Sequence, residues 1–302
     1  MQVIERGWVS SNMVVFCGHA ATDIVDSGYA LHAAQTLALV RHALGPRPLE
    51  RIFNTHAHAD HMGGNAALKR AYPDVRIAIP KADALLVGEW DEQALHLLPM
   101  GQQCDRFSFD TTYAAGDLLT LGDHEWRAIA SPGHDMHSLM LWCERERILI
   151  SADALWEDGF GILFPALPPA TSAQPAFAAQ RATLDAIAAL DARLVIPGHG
   201  APFGDVAGAL GRARARLDYF EGDPVRIARN AAKVTLSFLL MIEGRMELST
   251  LGERLGRLSL LAAINRLAYG LGDAQFARLL TAQLIKSGAA TCADGWLLAA
   301  TR

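Results

Sequence analysis

The sequence reads Asn54-Thr55-His56-Ala57-His58-Ala59-Asp60-His61 directly after the apolar pair Ile52-Phe53. Three imidazoles and one carboxylate therefore lie within six residues. Imidazole nitrogen and carboxylate oxygen are the ligands that zinc and similar metals bind. A core strand does not tolerate several unpaired histidines, and a solvated loop does not need them. The stretch therefore predicts a metal site.

Three more candidate ligands follow apolar runs later in the chain, and they are His134, Asp153 and His199. In layered α/β folds, binding sites form at strand ends and in the loops that follow them. We therefore expect these three side chains to meet the first cluster at one rim of the fold.

Short apolar runs alternate with helical patterns up to about residue 200, which predicts an α/β layered fold. The runs at 13–16, 51–54, 75–79, 138–142, 147–150 and 194–196 are predicted strands, with a further strand pair within 118–130. Helices are predicted at 35–44, 63–72 and 177–190.

The composition changes near Leu217, where Asp218 to Pro224 is interpreted as a linker. We therefore expect a catalytic domain at 1–217 and a mostly helical domain at 226–302. Thr250 and Glu253 fit a capping box at the start of one helix. Asp294-Gly295 is a strong hairpin turn signal. Helices followed by a small hairpin predict a winged-helix-like module.

These motifs together resemble the metallo-β-lactamase-fold hydrolase superfamily over roughly residues 10–205. The HxHxDH pattern, followed by an isolated histidine, an aspartate and a last histidine, is similar to the glyoxalase II metal set. The Pro-Gly-His-Gly ending and the C-terminal module look most like the β-lactamase-like-protein-2 group. The resemblance implies an αββα sandwich of two facing mixed sheets.

The resemblance also implies a binuclear site with two divalent cations. One cation would bind His56, His58 and His134, the other would bind Asp60, His61 and His199, and Asp153 would bridge them. Zinc is the default for a histidine-rich site, while iron or manganese suits the same ligands.

The expected reaction is hydrolysis by a hydroxide held between the two cations. Two positive charges lower the pKa of a shared water towards neutrality, and one cation can polarise a carbonyl or phosphoryl oxygen. Asp60 is the catalytic candidate because it is both a ligand and the carboxylate best placed to hold or relay the proton. The sequence contains no Gly-x-Ser-x-Gly nucleophile elbow.

The expected substrate is a small ester, thioester or lactone with an apolar part. Residues 154–170 are rich in large apolar side chains and directly follow Asp153. They are predicted either to cover the metals or to pack in a core. Ala152-Asp153-Ala154-Leu155-Trp156 differs from the glyoxalase II pattern at the same place, which argues against recognition of a glutathione thioester.

Three residues close to the candidate ligands each have two alternative roles. Thr55 and Ser138 are candidate partners that orient imidazoles, and capping of backbone groups is the alternative. His137 is interpreted as a histidine that supports a ligand or lies at the surface, because most histidines are not themselves ligands.

Two alternative functions remain at this point. The same metals could serve a phosphodiesterase or nuclease, or the tail could bind nucleic acid without catalysis. Residues 226–302 contain ten Lys or Arg against five Asp or Glu. However, the predicted helix 274–286 offers only Arg278 and Lys286, whereas a reading helix needs a polar cluster. A module that packs, covers the pocket or forms a homodimer is therefore preferred.

The composition of the chain indicates its solubility, its location and the kind of partner it binds. The net charge is −5, half of the residues are hydrophobic, and the four cysteines are scattered without metal-site spacing. The first residues do not form a signal peptide, and no apolar run reaches membrane-spanning length. The sequence therefore predicts a soluble cytoplasmic protein with a small-molecule substrate.

Overall fold

The computed structural model describes residues 1–164 and 174–300. The chain divides into two compact units. The first comprises Met1–Leu95, Gln103–Gly161 and Gln174–Asp218. Within the described residues, the second comprises His96–Gln102, 162–164 and 219–300.

The first sheet of the first unit has six strands within the described residues, in the order β1-β2-β3-β4-β5-β6. β1 to β3 pair antiparallel, and β3 to β6 pair parallel. The strands are β1 (Gln2–Ile4), β2 (Met13–Cys17), β3 (Thr22–Val25), β4 (Arg51–Phe53), β5 (Arg76–Pro80) and β6 (Thr111–Tyr113).

The second sheet has five strands within the same described part of the chain, in the order β11-β10-β9-β8-β7. β10 pairs parallel with β11, and the remaining pairs are antiparallel. The strands are β7 (Leu118–Leu121), β8 (His124–Ala130), β9 (Leu139–Cys143), β10 (Ile148–Ala152) and β11 (Leu194–Pro197).

The two sheets share one apolar core. Val25 and Phe53 of the first sheet belong to the same buried cluster as Leu141 and Ile150 of the second. In β8, Trp126 and Ala128 are buried while their neighbours Glu125 and Arg127 are exposed. This alternation gives the strand one face towards the core and one towards solvent.

Helices connect and flank the sheets, and α1 contacts both β2 and α3. The predicted αββα sandwich is therefore confirmed as the fold of the first unit. The helices of this unit are α1 (Ala33–Leu44), α2 (Ala59–Met62), α3 (Asn65–Ala71), α4 (Ala84–Glu89), α6 (Gln174–Ala189) and most of α7 (Val206–Glu221). α5 (Leu97–Met100) belongs to the second unit.

The second unit is mostly helical around its own core, which includes Leu236, Leu261 and Leu280. A small antiparallel sheet has the order β12-β14-β13, and the turn before β14 is formed by Asp294 and Gly295, both at positive φ. The elements are α8 (Pro224–Glu243), β12 (Arg245–Glu247), α9 (Leu248–Arg257), α10 (Ser259–Ala268), α11 (Asp273–Lys286), β13 (Ala290–Ala293) and β14 (Trp296–Ala299).

Two local predictions were wrong. The capping box fails because α9 begins at Leu248 after an N-cap at Glu247, so Thr250 lies inside the helix. The expected linker is mostly helical, since α7 continues to Glu221 and α8 begins at Pro224. Asp223 caps α8 by accepting a hydrogen bond from the backbone N–H of Val225 at 3.0 Å. Proline at the first helical position starts this helix and separates it from α7.

Replacing Leu141 by alanine tests the shared core of the two sheets. Leu141 is fully buried (0% exposed). Its truncation is expected to lower the free energy of unfolding by about 2–5 kcal/mol, because it removes apolar contacts and leaves a cavity. Urea unfolding followed by tryptophan fluorescence measures this loss. Leu118→Ala in the same sheet is the control, since Leu118 is 58% exposed; equal losses in both variants would contradict the shared core.

Candidate metal centre

The first histidine cluster lies in the connection between β4 and α2. His58 has extended backbone angles and precedes α2 as its N-cap, so Asp60 and His61 lie inside the helix. Asn54 donates a hydrogen bond from Nδ2 to the carbonyl of His61 at 3.2 Å and accepts one from Asn65 at 2.6 Å. These bonds fold the short stretch back on itself, which turns its side chains towards one point.

The first group of candidate ligands consists of three imidazoles. His56 Nε2 lies 3.0 Å from His58 Nδ1, which lies 2.9 Å from His134 Nε2. All three rings are buried. Zinc–nitrogen bonds of 2.0–2.1 Å in a tetrahedral site place ligand nitrogens about 3.3 Å apart. All three ligand nitrogens lie within 4.8 Å of one another, close enough for one cation to bind them together.

The second group consists of Asp60, His61, Asp153 and His199, whose ligand atoms all lie within 4.8 Å of one another. His199 Nε2 lies 3.1 Å from Asp60 Oδ2. Among the described residues, the buried Nε2 of His61 has no hydrogen-bond partner, and it lies 3.5 Å from Asp153 Oδ1. A buried ring nitrogen without a partner is costly, and a cation would satisfy it.

Asp153 lies between the two groups. Its Oδ1 faces His61 and also lies 3.8 Å from His199 Nε2, while its Oδ2 lies 3.3 Å from His134 Nε2. One carboxylate oxygen therefore points to each group, as a bridging ligand requires. The structure thus brings together all seven residues named from the sequence.

The electrostatics of the centre favour ionised carboxylates. Burial alone would raise the pKa of Asp153, but the imidazoles of His61 and His199 hold that pKa well below its usual value. The pKa of Asp60 is lowered in the same way: burial opposes ionisation, and His61 and His199 outweigh it. Negative carboxylates surrounded by ring nitrogens form a site prepared for cations.

The two most buried imidazoles differ in their preferred charge. Burial lowers the pKa of His56 well below its ordinary value, and the neighbouring imidazoles lower it further. Burial also opposes protonation of His61, but the carboxylates of Asp26, Asp153 and Asp60 raise its pKa well above the ordinary value. A cation at the free nitrogen of His61 would replace the proton that these carboxylates attract.

A family model described as the metallo-beta-lactamase superfamily matches residues 6–199. The chain belongs to this superfamily. It is 33% identical over 120 residues to hydroxyacylglutathione hydrolase of Bartonella quintana (strain Toulouse), and the match covers 40% of each chain. The chain thus spans about two fifths of the length of the curated relatives it matches.

Two solved structures share the fold of the chain. A beta-lactamase domain protein from Burkholderia ambifaria has a TM-score of 0.58 and 19% identity, with 99% of this chain and 91% of that chain covered. A metallo-beta-lactamase family protein from Thermus thermophilus has a TM-score of 0.57 and 20% identity, with 96% and 93% covered. At such identities, the similarity shows the superfamily fold alone.

Asp26 is a partner of the centre that the sequence reasoning missed. Its Oδ2 lies 2.8 Å from His61 Nδ1 and accepts a hydrogen bond from Thr55 Oγ1 at 2.9 Å. Thr55 Oγ1 also lies 3.0 Å from His56 Nδ1. Asp26 and Thr55 therefore fix the orientation of two rings by bonding to the nitrogens that face away from the cations. The available signal was the apolar pair Ile24-Val25 at the end of β3, directly before Asp26.

Two glycines allow the loops to approach the candidate ligands. A Cβ added at Gly198 would lie 2.1 Å from Asp153 Oδ1, and one at Gly161 would lie 2.7 Å from His134 Nδ1. Ala152, directly before Asp153, has a φ of +46° at an irregularity in the pairing of β10 with β11. This strained position directs the Asp153 side chain towards the centre.

The remaining sequence assignments have mixed outcomes. Ser138 bonds to Ser131 Oγ at 3.1 Å rather than to an imidazole. His137 is 41% exposed at its side chain and bonds to Asp83 Oδ1 at 2.7 Å. Burial and the nearby Asp135 raise the pKa of Asp83 to about 6.

The predicted cover over the metals divides into three parts. Trp156 contacts the centre through the ring of His199. Ile162 and Phe164 instead pack against the core of the second unit. The part at 165–170 lies outside the described residues.

A helix that spans a membrane needs both sufficient length and high hydropathy. Among the helices of the described residues, none is both long and apolar enough to span a membrane.

Replacing Gly198 by alanine tests the close approach to Asp153. The added methyl group would overlap Asp153 Oδ1, so we expect the carboxylate to shift and the purified protein to retain less metal. Elemental analysis of the purified variant measures the metal content. Gly211→Ala is the matched control, because its added Cβ would meet no described atom within 4 Å beyond its chain neighbours and the backbone of its own helix. Full metal content in Gly198→Ala would contradict the assigned geometry.

Replacing Asp26 by asparagine tests the orientation of His61. The substitution keeps the shape but removes the charge, and we expect metal affinity to fall about 10- to 100-fold. Competition with a chelator measures this affinity. Asp123→Asn is the control, because Asp123 pairs with the exposed ring of His19 at 2.7 Å. Unchanged affinity in Asp26→Asn would show that the contact is not needed.

Proposed function

We propose that this protein is a metal-dependent hydrolase that binds two divalent cations. The observation that carries the proposal is the position of Asp153, whose two oxygens face separate groups of buried ring nitrogens. The donor set fits zinc, and iron or manganese also suits it. The first cation would be held by His56, His58 and His134, the second by Asp60, His61 and His199, and both by Asp153.

When bound, the cations supply an ionised water at neutral pH and stabilise negative charge that develops on the substrate. The residues of the chain orient and neutralise this centre. Asp26 keeps the Nδ1 proton of His61 in place, so that Nε2 faces the cation. Asp60 has a side chain that is 13% exposed, and its ionised carboxylate can accept a proton during the reaction.

The proposed substrate is a small ester, thioester or lactone with an apolar acyl part. Two observations support an acyl compound. The relative from Bartonella quintana is a hydroxyacylglutathione hydrolase, whose name specifies an acyl substrate. In addition, the aromatic ring of Trp156 contacts the candidate ligand His199 at the edge of the centre. The sequence differences after Asp153 separate this chain from the glutathione-specific pattern.

We also propose that 226–302 forms a separate winged-helix-like domain whose role is other than binding nucleic acid. The small sheet and the compactness of the second unit support this assignment. Many of its basic side chains are engaged within the unit, which leaves few for phosphate contacts. Arg254 and Arg257 pair with Glu243 and Glu253, and Arg226, Arg229 and Arg245 lie over the rings of Tyr219, Tyr269 and Trp296.

Elemental analysis combined with a panel of thioesters, lactones and phosphodiesters tests the function. We expect two cations per chain and hydrolysis of an acyl substrate. Loss of several kcal/mol of charge stabilisation in His58→Ala should lower kcat/KM by more than about 100-fold. His19→Ala serves as the control because the side chain of His19 is 99% exposed.

Three results would contradict this proposal or redirect it. A protein without bound metal, inactive after addition of zinc, iron or manganese, is not a metal-dependent hydrolase. Cleavage of phosphodiesters alone would replace the acyl substrate by a phosphodiester, as in a phosphodiesterase or nuclease. Salt-dependent binding of DNA or RNA that persists in His58→Ala without any cleavage would identify a binding protein.

A further inference from the structure

Two tryptophans form an aromatic surface beside His199. The ring of Trp8 stacks on the imidazole of His199, with centroids 5.6 Å apart and planes 7° from parallel. Trp156 meets both rings edge-on, with centroids 5.2 Å from Trp8 and 5.4 Å from His199. Trp8 nevertheless remains 44% exposed. A large apolar ring therefore faces solvent directly beside a candidate metal ligand.

The position of Trp8 is fixed by the backbone that follows it. Ser11 donates its N–H to the carbonyl of Asp60 at 2.9 Å, and Asn12 donates its N–H to the carbonyl of Gly198 at 2.6 Å. The Asn12 side chain donates from Nδ2 to the carbonyl of Gly200 at 2.7 Å. These bonds attach the segment after Trp8 to helix α2, which carries Asp60, and to the loop that carries His199. Trp8 is therefore built into the wall of the centre.

Trp156 is fixed with equal firmness. Its Nε1–H donates to Asp153 Oδ1 at 3.2 Å, and its backbone N–H donates to the carbonyl of Gly159 at 2.7 Å. Arg216 in α7 lies over the ring of Phe160 at 5.1 Å and donates to the Phe160 carbonyl. The two indoles thus form a rigid surface, which loses little entropy when a ligand binds.

We propose that Trp8 determines substrate specificity by stacking with an aromatic acyl group. The inference rests on the proposed function, because it places the reacting carbonyl at the cations and the acyl group beside His199. Aromatic rings gain more from contact with an indole than small alkyl groups do, through larger buried area and favourable ring geometry. The substrate class is then an arylacetyl or similar aromatic acyl ester or thioester.

The test compares phenylacetyl and acetyl substrates that share one leaving group, using wild type, Trp8→Ala and Trp8→Phe loaded with metal. We expect Trp8→Ala to lower the phenylacetyl-to-acetyl ratio of kcat/KM about tenfold, mainly through KM for the phenylacetyl substrate. Trp8→Phe keeps an aromatic ring and should stay within about threefold of wild type. Isothermal titration with phenylacetate and acetate should show the same loss of preference in binding.

Two results would overturn the proposal. If Trp8 only supports His199, Trp8→Ala will bind less metal, and kcat will fall by the same factor for both acyl groups. An unchanged selectivity ratio in Trp8→Ala would equally exclude stacking. If wild type hydrolyses neither substrate, the choice of these acyl substrates fails independently of Trp8. The phenylacetate titration then still decides, since equal affinity in wild type and Trp8→Ala contradicts an aromatic site.

Discussion

The structure of the centre depends on one buried carboxylate. Asp153 is 4% exposed, and its oxygens face imidazoles that come from three separate segments of the chain. Such a charge is costly to bury unless it is paired. Here the surrounding ring nitrogens hold its pKa well below the ordinary value, against the effect of burial. The carboxylate and the imidazoles therefore stabilise one another, and together they offer the donor atoms of a metal site.

The sandwich fold brings these groups together through its strand ends. β4, β10 and β11 end in buried apolar residues, and each is followed within a few positions by a polar side chain of the centre. The shared core of the two sheets holds these strands in place. Hydrogen bonds from Ser11 to Asp60 and from Asn12 to Gly198 then connect helix α2 to the loop after β11. The site is thus assembled from parts that are distant in sequence but rigidly held.

Much of this arrangement could be predicted from the sequence. Apolar runs followed by histidine or aspartate revealed the strands and the seven candidate ligands, because strand ends and donor chemistry are local properties. Asp26 escaped because a single aspartate after a short strand is common in loops. The role of Trp8 could not be predicted, because its contact with His199 depends on tertiary folding. The periodicity of apolar residues reveals strands and helices but not such contacts. The predicted capping box at Thr250 was wrong because α9 begins two residues earlier, at Leu248.

The most direct measurement is anomalous X-ray diffraction from crystals of the metal-loaded protein, collected at the absorption edge of the bound element. We expect two peaks about 3.5–4 Å apart, as in two-metal sites. One peak should lie among His56, His58 and His134, the other among Asp60, His61 and His199, with an Asp153 oxygen at bonding distance from each. A single peak, or peaks that leave Asp153 without a bond to either cation, would contradict this expectation.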